Sequence, residues 1–192
     1  MSFVLSSSCI QPRQYAEIHD NRVKGITEDK ISERAFYPYL HACIREAHRI
    51  TPLFPLSLLK RNRQSDIVVN GITFQKGTTF SLYNSTNAKL GIAHAEQFKP
   101  ERWLKEAVEQ RKGSSEEIYD HPIFRDPFGQ GARRCPGSRV ASNEVLCMIS
   151  QLVSDYKIVA AETSLCEIKH ELRSLVQPLI PKLEFIPRSP QP

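Results

Sequence analysis

Apolar positions three and four residues apart predict two strong helices in this chain. Between residues 38 and 49, Leu40, Ile44 and Ala47 form one stripe with Cys43 beside it. Pro38 suits the first turn, and Thr51-Pro52 stops the run. From Pro136 to Tyr156, Ala141, Val145, Met148, Ile149, Leu152 and Tyr156 repeat near the helical period, so this face is expected to be buried. Pro136 would take the first helical position, where a missing N–H costs nothing. Cys147, on the same helix, is expected to be an inert packed thiol. A shorter helix is expected from Gln14 to Arg22, ended by Lys24-Gly25.

Alternation marks the strands. Asp66 to Val69, the turn Asn70-Gly71 and Ile72 to Phe74 read as a hairpin. A second turn at Lys76-Gly77 leads into residues 78–83, giving an expected antiparallel sheet of three strands. Residues 84–99 and 105–127 read as irregular or polar loop. The tail from Glu167, cut by Pro178, Pro181 and Pro187, reads as a proline-limited hairpin on a sheet edge. Residues 1–14 and 187–192 carry little pattern and are expected to be disordered. The whole is expected to be one mainly α domain over 1–192 with small antiparallel β-sheets.

Composition narrows the classes. Hydrophobic content of 40% and charged content of 24% are those of an ordinary globular chain. An excess of 26 Lys+Arg over 21 Asp+Glu gives +5, too mild to imply nucleic acid, and no such partner is expected. Five cysteines, odd in number and without a C-x-x-C pair, argue against a disulfide scaffold or structural zinc and suit a reducing compartment. No run of about 18 apolar residues is available to span a membrane. The N-terminus has no basic leader and makes a poor signal peptide. An intracellular location is expected.

The chemistry concentrates between Phe128 and Gly137. Phe128-Gly129-Gln130-Gly131-Ala132-Arg133-Arg134-Cys135-Pro136-Gly137 puts a cysteine behind two arginines, where a loop becomes a helix. Positive charge and free N–H groups both favour a thiolate. Gly131 and Gly137 would let the backbone take conformations closed to other residues and approach a bulky group closely. On these residues alone, Cys135 could be a nucleophile, a redox thiol or a metal ligand. Glu46 and Arg49 are neighbours on one helix face, which alone suggests only a solvated ion pair.

Phe128-x-x-Gly131-x-Arg133-x-Cys135-x-Gly137 resembles the haem-binding loop of the cytochrome P-450 family at every fixed position, and Ala141 and Glu144 continue the match. Glu46-x-x-Arg49 is similar to the family's E-x-x-R on helix K, followed by Pro52-x-x-Pro55, and Pro100-Glu101-Arg102-Trp103 resembles its Pro-Glu-Arg-aromatic motif. The resemblance implies haem b, with Cys135 as the axial thiolate of its iron and Phe128, Gly131, Gly137 and Ala141 around the macrocycle. It implies Arg133 on one propionate and Arg61 on the other, and Glu46, Arg49 and Arg102 as a structural triad. Leu53, Phe54, Leu175 and Val176 fall where the family lines its substrate pocket. The implied activity is monooxygenation of a lipophilic substrate with O2, using NADPH electrons through a reductase or ferredoxin. Lys60, Arg61, Arg63, Arg134 and Arg139 would form a docking face for that donor. The parent would be associated with the endoplasmic reticulum or, as Arg139 hints, the mitochondrial membrane.

The resemblance runs from about Gln14 to Arg188 but covers less than half of the family's fold. The long oxygen-activating helix with its acid–Thr pair lies upstream of helix K in the family and is not found here. A fragment carrying the haem-ligating C-terminal portion, inactive in isolation, is therefore expected. The alternative is a non-catalytic haem-binding or regulatory remnant.

Overall fold

The computed structural model describes residues 10–52, 59–81, 89, 91–160, 170–172, 176–178 and 182–189. In chain order these form α1 (Ile10–Val23), α2 (Pro38–Ile50), β1 (Lys60–Arg61), β2 (Ile67–Val69), β3 (Ile72–Phe74), β4 (Thr79–Phe80), α3 (Lys105–Gln110), α4 (Pro122–Arg125), α5 (Ser138–Asp155), β5 (Tyr156–Ala160), β6 (His170–Leu172), β7 (Val176–Pro178) and β8 (Leu183–Pro187). Short 3-10 turns lie at Glu28–Ser32, Pro100–Trp103, Ser115–Asp120 and Gly131–Arg133. The chain is mainly helical with small antiparallel sheets, as expected.

The core lies where α1, α2 and α5 meet. Ile18, Leu40, Cys43, Ile149 and Val153 are buried together, and Ile158 of β5 closes one end. Pro38 does occupy the first turn of α2, but the cap comes from another helix. The Glu17 carboxylate of α1 accepts from the backbone N–H groups of Tyr39 (2.7 Å) and Leu40 (2.8 Å). It thereby satisfies two donors that a helix start leaves unpaired and meets the positive end of the helix dipole.

The structure departs from the pattern-based expectations in several places. α1 begins at Ile10, not at Gln14, because Ile10 and Gln11 are drawn into the core, where Gln11 brackets the Ile158 backbone with both side-chain atoms. The expected three-stranded sheet is two separate pairs. β2 pairs with β3 across Asn70-Gly71, while β4 pairs with β1, a strand the pattern did not show. Lys60-Arg61 is too short and too charged to stand out by alternation. The stretch 105–127 is not loop but contains α3, the 3-10 turn Ser115–Asp120 and α4, held by ion pairs rather than by an apolar stripe.

The C-terminal region is two pairs, β5 with β8 and β6 with β7. Pro187 ends β8, and Arg188, expected in a frayed terminus, donates to the carbonyls of Val153 and Tyr156. α5 starts at Ser138, two residues after Pro136. Its packed face carries Leu146, Ile149 and Val153, with Val145 and Leu152 half-buried, whereas Met148 and Cys147 are exposed. Two overlapping apolar stripes run along α5, and the contacts to α1 and α2 select one of them.

Candidate functional site

Glu46 is the buried charge about which α2 joins the following loop. Its side chain is fully buried, and five donors converge on it. Arg49 grips both carboxylate oxygens, Nε to Oε2 at 2.9 Å and Nη2 to Oε1 at 2.8 Å. Arg102 Nε reaches Oε1 at 3.1 Å, the Lys99 amide Oε1 at 2.9 Å, and Trp103 Nε1 Oε2 at 2.7 Å. Burial alone would raise this carboxyl's pKa, but the donors and the two guanidiniums outweigh it and hold it below the usual range. Arg49 and Arg102 also donate to the carbonyls of Gln97, Ala93 and His94, pinning the segment that leads into the Pro-Glu-Arg turn. Glu46, Arg49 and Arg102 thus meet in one network.

A second layer lies beyond what the motifs suggested. Two guanidinium groups lie over the Trp103 ring, Arg45 at 3.7 Å and Arg111 at 5.1 Å from its centroid. Both arginines bind Asp120, at 3.1 Å from Arg45 and 2.6 and 2.8 Å from Arg111, and their charges hold its carboxyl below the usual range despite burial. The sequence signal was weak because Arg45, Arg111 and Asp120 follow no shared spacing.

Asp120 hands the chain through α4 to the cysteine loop. That loop turns on Gly129 (φ 81°) and Gly131 (φ 77°), both in the left-handed region. A side chain added at either would meet open space, so backbone conformation, not crowding, calls for glycine there. Gly137 differs from expectation. Its φ of −80° suits any residue, and a Cβ there would lie 3.9 Å from Cys135 Sγ, in ordinary contact with the thiol. The Cys135 amide donates to the Phe128 carbonyl at 3.0 Å, closing the loop, and the Cys135 carbonyl accepts from Ser138 N–H at the start of α5. The thiol is exposed, Phe128 is half-buried, and Ala141 is half-buried one turn into α5.

The arginines of the loop are not equivalent. Arg134 pairs with Asp126 at 2.7 Å and also donates to Ser138 Oγ, so it is engaged within the loop. Arg133 is exposed and makes no ion pair among the described residues. Arg61 lies on β1 and donates to the Gly77 carbonyl at 3.1 Å, in the turn that leads into β4. Leu53, Phe54 and Leu175 lie outside the described residues; Val176 opens β7.

Among the described residues no cluster of three His, Cys, Asp or Glu could hold a bare metal ion. Cys135 offers a single sulfur. A lone thiol suits a metal whose other ligands arrive with it, and an exposed arginine beside it suits a cofactor bearing carboxylates.

Comparison with known proteins decides the lineage. A family model described as Cytochrome P450 matches residues 4–185. The chain belongs to the cytochrome P450 family. Ferruginol synthase of Isodon rubescens is 33% identical over 199 residues, which is 99% of this chain and 38% of that protein. The mitochondrial sterol 26-hydroxylase of Homo sapiens is 32% identical over 173 residues, 87% of this chain and 31% of the relative. The crystal structure of a cytochrome P450 (CYP102L1) superposes with a TM-score of 0.76 at 22% identity, covering 97% of this chain and 40% of that one. This P450 chain therefore spans about two-fifths or less of the proteins it matches. Its lineage is that of monooxygenases, its relatives include mitochondrial members, and the cofactor its family implies is haem. No helix among the described residues is long and apolar enough to cross a membrane.

Proposed function

We propose that this chain is the haem-ligating C-terminal portion of a cytochrome P450 monooxygenase, with Cys135 as the axial thiolate of haem b. The observation that carries this reading is the exposed thiol of Cys135, in a loop closed by the Phe128 carbonyl and two residues after the exposed Arg133. A thiolate-ligated haem supplies electron density that favours O–O cleavage. The protein's own part is to bind and orient. Phe128 would flank the sulfur and limit its contact with water, and Gly137, lacking a Cβ, would leave room around it. Arg133 would meet a propionate through charge-assisted hydrogen bonds. Glu46, Arg49 and Arg102 would hold the segment that leads into the loop, a structural role.

The whole protein would insert one oxygen atom from O2 into a lipophilic substrate, drawing NADPH electrons through a reductase or a ferredoxin. The mitochondrial relatives favour the ferredoxin and a mitochondrial membrane location. Titration of the purified chain with hemin tests the reading directly. Binding with a thiolate-type ferrous–CO Soret band, lost in Cys135→Ser, is the expected result. Binding unaffected by that substitution would overturn the assignment of Cys135.

A further inference from the structure

Asp126 accepts four hydrogen bonds within the cysteine loop, yet it belongs to no motif. Its Oδ1 accepts from the Phe128 amide at 2.9 Å, closing a tight turn immediately before Gly129. Its Oδ2 accepts from Arg134 Nε at 2.7 Å and from Gln130 Nε2 at 3.2 Å. The Asp126 carbonyl accepts in turn from the Gly129 amide at 3.4 Å. The Asp126 side chain is 19% exposed and that of Arg134 43%, so the carboxylate end of the pair is shielded and the guanidinium end reaches solvent. Arg134 is then held at its far end by Ser138 Oγ, whose residue is buried at the start of α5. One carboxylate thus ties the entrance of the loop, its middle and its exit into α5.

The consequence concerns the two adjacent arginines. Arg133 and Arg134 have the same chemistry and stand side by side next to Cys135, so either could meet an anionic group beside the sulfur. The Asp126 carboxylate removes one of them. Its charge is satisfied by Arg134, and Arg133 is left without an ion pair among the described residues. We propose that Asp126 is a positioning residue of the cysteine loop: it sets the turn at Phe128 and sequesters Arg134, leaving Arg133 as the cation offered to a cofactor carboxylate. This rests on the haem reading above.

The test uses the full 192-residue chain, with hemin as the probe and far-UV circular dichroism as the check on folding. In the native background, Arg133→Ala should weaken hemin binding about tenfold, the loss of one charge-assisted contact, while Arg134→Ala should change it by less than about threefold. In the Asp126→Ala background Arg134 is released and can substitute, so Arg133→Ala should cost less than about threefold. Asp126→Asn keeps an acceptor for the Phe128 amide but loses the ion pair, and should reproduce the tolerance to Arg133→Ala without loosening the turn. Hydrogen exchange of the apo chain reads the turn independently of cofactor. The Phe128 and Cys135 amides should lose protection in Asp126→Ala and keep it in Asp126→Asn. Equal losses on Arg133→Ala in all three backgrounds, or unchanged exchange in Asp126→Ala, would overturn the role of Asp126. Failure of the haem reading looks different: the native chain would not bind hemin, or Cys135→Ser would bind with the same spectrum, while the exchange experiment would still report on the turn.

Discussion

At the scale of single residues, Glu46 carries the heaviest electrostatic burden. It is a buried carboxylate that stays charged because two guanidiniums, one amide and one indole N–H surround it. Glu46→Ala would strand Arg49 and Arg102 in a buried site, and should destabilise the chain by about 3–5 kcal/mol, measured by urea unfolding. The pH dependence follows from the same site. The carboxyls of Glu46 and Asp120 are both held below their usual values, so the folded state binds their protons less readily than the unfolded chain does. Their contribution is fully present above the ordinary carboxyl range and is lost as pH falls through the depressed folded values. Acid titration of the unfolding free energy should therefore fall less steeply in an Asp120→Asn variant. An unchanged slope would remove Asp120 from this account.

At the scale of elements, α2 is organised from outside itself. Its first N–H groups are capped by Glu17 of α1, so Glu17→Ala should cost about 1 kcal/mol and fray the start of α2, seen as faster exchange at Tyr39 and Leu40. On the other side His41 bonds the Ile31 carbonyl at 3.0 Å, and burial pushes its pKa below the ordinary 6.5. The sign is that of a depressed base: stability is complete above 6.5 and declines as pH drops toward the folded value. His41→Gln should flatten that decline. Much of this helix was legible in advance, since Leu40, Cys43, Ile44 and Ala47 follow one period and Pro38 marks the first turn. The cap was not, because Glu17 is 22 residues from its first partner and nothing local ties them. The same reason hid the β1–β4 pairing and the helices between 105 and 125. β1 pairs with β4, beyond the intervening β2–β3 hairpin, and the 105–125 stretch is tied by the Arg111–Asp120 ion pair, neither of which leaves a period in the sequence. The cysteine loop was legible as a motif. Its fastening by Asp126 was not, since an aspartate before a proline reads only as a turn.

At the scale of the whole molecule, several elements leave apolar side chains exposed, the β2–β3 hairpin and α5 among them. On the β2–β3 hairpin, Val68 is 66% and Ile72 60% exposed, and on α5 Val140 and Met148 face outward. Exposed apolar strands favour association between copies. A Val68→Lys, Ile72→Lys variant should lower concentration-dependent association, measured by sedimentation, while leaving unfolding free energy within about 0.5 kcal/mol of the native value. Unchanged association would assign it to another surface.

The indole of Trp103 is the only one in the sequence. It packs against the Arg45 and Arg111 guanidiniums with its N–H on Glu46. Its emission is therefore a built-in optical probe of one junction. A fluorescence change during titration, heating or cofactor uptake reports the opening of the contact between α2 and the loop after it, with no label attached.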